Sequence, residues 1–151
     1  MTSLADRPSK VRGTDAGRTV AADASFRAWF DALPNILAGA ELRELVARTA
    51  RAIRSKRPVL LGMGGHVIKV GLGGMLCDLV RDGYVGAVAS NGSVTIHDTE
   101  LALAGKTSED VDVALQDGSF GMSAETAQFI LGAIAAGRER GIGKAVGEAL
   151  L

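Results

Sequence analysis

Pro58-Val59-Leu60-Leu61-Gly62-Met63-Gly64-Gly65-His66 and, further on, Tyr84-Val85-Gly86-Ala87-Val88-Ala89-Ser90-Asn91-Gly92-Ser93 have the same design. Each is a short apolar run that stops in glycine and small polar residues. Runs of that length bounded by turn signals read as buried strands. The stretch between them, His66 to Leu79, is helical in character, although Gly71, Gly73 and Gly74 lower its propensity and Gly83 stops it. A second helical stretch, Val94 to Leu103, follows the second run and ends at Gly105. Strand, glycine turn, helix, twice over, is the βαβ pattern, which implies parallel strands and a right-handed crossover. The expected class is α/β, with a parallel sheet.

Upstream, residues 1–22 carry scattered charge, Pro, Gly and Thr without a period, and read as a disordered tail. Folding is expected from residue 23 to residue 151. Phe26, Trp29 and Phe30 begin an apolar segment, and Leu33-Pro34-Asn35 interrupts it as a turn. From Ala40 to Arg54, the residues Leu42, Leu45, Val46, Ala50 and Ile53 recur at helical spacing. Arg48, Arg51, Arg54, Lys56 and Arg57 crowd the end of that helix, where cations complement the helix dipole. A solvated helix end is the plain reading of that cluster and phosphate binding the other. Downstream, Lys106 to Gly121 reads as a polar loop or short turn-helix, Ser123 as the cap of a helix from Ala124 to Arg138, and Lys144 to Leu150 as a last short helix.

The whole chain has 151 residues, with 17 Lys plus Arg balanced by 17 Asp plus Glu and 47% hydrophobic content. That balance excludes a mainly disordered chain and argues against a basic nucleic-acid surface. No stretch reaches the roughly 18 apolar residues of a membrane span. Cys77 is the one cysteine, and the first residues hold no apolar secretory run, so a reducing compartment, the cytoplasm, is expected. The two histidines, His66 and His97, lack metal-ligand spacing, so no metal site is expected. There is also no GxSxG nucleophile elbow.

Open parallel sheets bind ligands at the carboxyl ends of their strands. That edge receives two candidate loops. Gly64, Gly65 and His66 follow the first strand, and Ser90, Asn91 and Gly92 follow the second. Glycine admits a ligand close to the backbone, and helix N-terminal N–H groups receive anions. Tight βα turns would also explain these glycines. The second helix then carries His97, Asp98 and Glu100. Neighbours on a helix diverge by about 100°, so His97 and Asp98 need not touch, whereas His97 and Glu100 can share a face.

At these two turns the sequence resembles the deoxyhypusine synthase superfamily, over roughly Val59 to Gly121. The likeness lies in the first glycine turn, in His66-Val67-Ile68-Lys69-Val70-Gly71-Leu72, in Leu79 to Val85, and in Ser90-Asn91-Gly92 followed by His97-Asp98. The second stretch, with Gly105-Lys106-Thr107-Ser108, is also similar to the NAD-binding domain of archaeal-type ornithine cyclodeaminases. The resemblance implies a partial NAD-binding domain over 23–151, the N-terminal half of a Rossmann-like parallel sheet of the deoxyhypusine synthase type. It implies NAD on Gly64, Gly65, His66, Ser90, Asn91 and Gly92, with Asp98 and Glu100 near a small amine substrate and His97 and Asp98 as catalytic groups. The reaction implied is NAD-dependent amine transfer through an imine. Ornithine cyclodeaminase-like deamination is a second possibility, and a non-catalytic nucleotide-binding or regulatory fragment a third. No segment matches the lysine motif on which deoxyhypusine synthases form their imine. Two strands alone leave exposed edges, so a homo-oligomer is expected.

Overall fold

Ser25 opens the first helix by accepting a hydrogen bond from the Ala28 N–H, and α1 runs over Phe26–Ala32. Pro34 lies in the turn that follows, and α2 spans Leu37–Arg54. Arg43 of α2 reaches back over this turn. Its Nη2 donates to the Leu33 carbonyl at 2.7 Å. Its guanidinium stands 5.3 Å from the centre of the Phe30 ring and 4.0 Å from the Asp31 carboxylate. One cation therefore joins both sides of the helix–turn–helix through a carbonyl, a π face and a charge. Residues 13–18, assigned by the sequence to a tail, are bonded to the same turn. Gly13–Asp15 forms a 3-10 turn, the Asn35 N–H donates to the Asp15 carbonyl at 2.8 Å, and the Arg18 N–H to the Ala32 carbonyl at 2.9 Å.

These elements belong to the first of two compact units, divided at the Arg57–Pro58 bond in a computed structural model that describes residues 2–151. The sequence places its one boundary near residue 22. The second unit holds the two apolar runs as strands β1 (Leu60–Met63) and β2 (Ala87–Ser90). They pair in parallel, Leu60 opposite Ala87 and Met63 opposite Ser90, and are the only two strands among the described residues. The protein is mixed α/β, mostly helical, with one small parallel sheet.

The helix expected between the strands is two helices, α3 (His66–Lys69) and α4 (Gly73–Arg81). Gly71 separates them with φ +82°, a left-handed conformation that glycine adopts freely and that an α-helix cannot contain. After β2 comes α5 (Gly92–Ala104), started two residues earlier than its apolar pattern because the Asn91 side chain accepts from the Ser93 N–H. The polar stretch beyond holds α6 (Val111–Asp117), capped by Asp110. Then come α7 (Ala124–Ala136), capped by Ser123, and α8 (Ile142–Leu150).

The core of this unit is made of small residues: Ile68, Val85, Ala114, Ala133, Ala145 and Val146 are buried. The strands are not covered as parallel strands usually are. Leu60 is 72% exposed and Val88 40% exposed. No helix among the described residues is long and apolar enough to cross a membrane.

Thr99 of α5 is wholly buried, and its Oγ1 has no hydrogen-bond partner. A buried hydroxyl without a partner costs about 1–3 kcal/mol. Thr99→Val keeps the β-branched shape and removes that cost, so the thermal midpoint should rise by about 2–4 °C per kcal/mol recovered. A fall in the midpoint, followed by circular dichroism, would mean that the hydroxyl is bonded after all.

Candidate functional site

The in-step ends of β1 and β2 bring their two turns together. The Gly65 N–H donates to Ser93 Oγ at 3.1 Å. Asn91 Oδ1 accepts from the Ser93 N–H at 3.2 Å and from its hydroxyl at 2.5 Å. Gly65 is buried in this contact. A Cβ on it would lie 2.6 Å from Ser93 Oγ and 2.9 Å from His97 Cδ2. Absence of a side chain thus lets α5 rest on the first turn. Gly92, at the start of α5, differs: its N–H has no protein acceptor among the described residues, and a Cβ there would meet nothing within 4 Å. His66 and Ser90 are exposed.

His97 and Glu100 share one face of α5, as residues three apart on a helix do, with Nδ1 and Oε2 3.5 Å apart. Thr107, in the loop after α5, stands between them. Its Oγ1 is 2.8 Å from His97 Nδ1 and donates to Glu100 Oε2. The other carboxylate oxygen of Glu100 accepts from Thr126 of α7 at 3.5 Å, and Ser123 Oγ is 2.7 Å from Thr126 Oγ1. The His97 and Glu100 side chains keep only 18% and 19% of their exposure. Asp98 is exposed and has no ion pair or side-chain hydrogen bond among the described residues. The structure therefore gathers His97 with Glu100 and leaves Asp98 apart.

This network borders two cavities that share Glu100 and Thr126. One, of about 470 Å³, is lined by Lys69, His97, Glu109, Phe120 and Leu131 among others. The other, of about 790 Å³, adds Lys106, Thr107 and Glu125. Ser108 lies on both and has φ +71°, a strained conformation for a residue with a Cβ. The walls are largely apolar, and in each cavity the carboxylates outnumber the single lysine, Lys69 or Lys106, which suits a small ligand with an apolar body and a cationic end. His97 adds a group able to take or give a proton. No cluster of three metal-ligating side chains occurs among the described residues. Away from this network, Asp117 is held below the usual carboxylate range by the hydroxyl and N–H of Ser119.

Sequence reasoning did not single out Thr107, Ser123 or Thr126 as site residues. Gly105 was the available signal for Thr107. As the left-handed cap that ends α5, it turns the chain back so that a residue ten positions on meets His97. Thr126 arrives from α7, and nothing local marks it. No family model, curated protein or solved structure matches the chain.

Gly65→Ala should destabilise the protein by about 1–3 kcal/mol, because its neighbours must move to admit a methyl group. Gly92→Ala, which meets open space, should leave urea unfolding unchanged or slightly improved. Equal stability of the two variants would show that the Gly65 contact is loose.

Proposed function

We propose that this chain is an NAD-binding α/β domain that acts on a small amine, in the manner of deoxyhypusine synthases. The observation that carries the reading is the position of His97. Its Cδ2 lies beside Gly65 in the turn after β1, while its Nδ1 faces Thr107 and the carboxylate of Glu100. One imidazole thus stands between the turn expected to hold a dinucleotide and the acidic cavity.

The residues of the second turn fit a phosphate. Gly92 offers an unspent N–H at the start of α5, and no atom stands within 4 Å of where its Cβ would be. Asn91 and Ser93 are already bonded to each other, and the Gly65 N–H is spent on Ser93. The first turn would therefore offer Gly64 and His66 as surface rather than the Gly65 donor. When bound, NAD supplies a hydride acceptor for oxidation of an amine carbon to an imine. Glu100 would hold the cationic nitrogen and His97 would accept its proton. Asp98, exposed on the other side of α5, is left a role only at the outer rim.

Titration calorimetry tests the two halves separately. Gly92→Asp puts a carboxylate where it favours the helix and repels a pyrophosphate. NAD should bind the unaltered chain and bind this variant at least about tenfold more weakly, a difference of about 1.4 kcal/mol. Glu100→Gln should leave NAD affinity alone and weaken butylamine binding by about tenfold or more, as expected for a lost charge-assisted hydrogen bond. Absence of NAD binding to the unaltered chain overturns the reading.

The reading includes a homo-oligomer. β2 is exposed along its whole length, and a second copy laid on it would give the sheet the cover that parallel strands need. Sedimentation velocity should show a dimer or larger, which Val88→Lys returns to monomer. A monomer for the unaltered chain removes this part of the proposal.

A further inference from the structure

The protons available around Thr107 limit how its hydroxyl can bond, whatever fills the cavities. A threonine hydroxyl has one proton to donate. Thr107 directs that proton to Glu100 Oε2, a carboxylate oxygen with none to give. The 2.8 Å contact between Thr107 Oγ1 and His97 Nδ1 then needs a proton from the ring. We propose that Thr107 is a positioning residue that fixes the neutral His97 ring with its proton on Nδ1 and its lone pair on Nε2. This is the reverse of the form that predominates for a neutral histidine side chain in water.

Three further features hold the arrangement. Thr126 bonds the second oxygen of Glu100, so the carboxylate cannot turn away from Thr107. Ser123 holds Thr126 in turn. The ring lies against Gly65, where a Cβ would stand only 2.9 Å from Cδ2. Nε2 is the ring atom bonded to Cδ2, so the free lone pair belongs to the ring edge that begins at the β1 turn. The chain Glu100–Thr107–His97 thereby prepares Nε2 as a proton acceptor, with a hydroxyl inserted between carboxylate and imidazole. The carboxylate acts on Nδ1 both through that hydroxyl and directly, across 3.5 Å.

The test is nitrogen NMR of the imidazole rings of the full chain, at a pH high enough for both to be neutral. His66 is exposed and serves as the reference within the same sample. His97 should show mainly the Nδ1–H form and His66 mainly the Nε2–H form. Thr107→Val removes the nearer acceptor, leaving only the Glu100 carboxylate 3.5 Å from Nδ1, and should raise the share of Nε2–H at His97, while Thr107→Ser should keep the original ratio. A merely structural role for Thr107 would leave the tautomer ratio unmoved. Mainly Nε2–H at His97 in the unaltered chain, or an unchanged ratio in a folded Thr107→Val, overturns the proposal. If Thr107→Val does not fold, the unaltered chain and Thr107→Ser decide between the same two results.

Discussion

The Gly65 N–H donates to the Ser93 hydroxyl, and no Cβ stands between the turn after β1 and the first turns of α5. Much else in the second unit depends on that approach. It sets α5 against the β1 turn and puts one edge of the His97 ring within reach of the backbone. It also uses the Gly65 donor, which makes Gly92 rather than Gly65 the open N–H at the strand ends. A hydrogen bond of this kind contributes only about 0.5–1.5 kcal/mol net. Its larger effect is geometric, because a side chain at this position would have to push α5 away.

From α5 the constraint passes to the loop behind it. Helical spacing puts His97 and Glu100 on one face, and the turn at Gly105 returns Thr107 to that face. Thr126 closes the network from α7. Every member except the imidazole is short or held at both ends, so the arrangement is fixed by its neighbours. A partly buried carboxylate is costly unless its oxygens find donors. Here two hydroxyls provide them, and the imidazole is oriented as a consequence.

The same unit leaves much apolar surface in solvent. Its core is largely alanine and valine, and its sheet has two short strands. Small side chains allow close helix packing but bury little area each, at about 25 cal/mol per Å². An exposed parallel sheet is unusual because both faces of such strands are normally covered. Leu60 and Val88 are among the apolar side chains left exposed there.

Local chemistry was enough to read both strands, their order, and α2, α5, α7 and α8 within a few residues, while α3 and α4 read as one helix and α6 as a polar loop or short turn-helix. Apolar period, caps such as Ser123 and breakers such as Gly105 act over one or two turns of chain, so they are visible without the fold. The sharing of a face by His97 and Glu100 was legible for the same reason. The split of the first crossover at Gly71 was not, because a glycine in a helical pattern is compatible with either outcome until packing selects its φ. Nor was the bonding of residues 13–18 to the turn before α2, which rests on backbone groups that no side-chain pattern reports. The sequence by itself determined the α/β class, the parallel pair and the two glycine turns, since each follows from interactions between near neighbours. Only the tertiary structure decided that Thr107 and Thr126 join Glu100, that Asp98 stands outside, and that Gly65 spends its N–H on Ser93. The Thr126 and Ser93 contacts join segments 26 and 28 residues apart, fixed by how the helices pack, and Thr107 reaches Glu100 only through the path of the loop after α5.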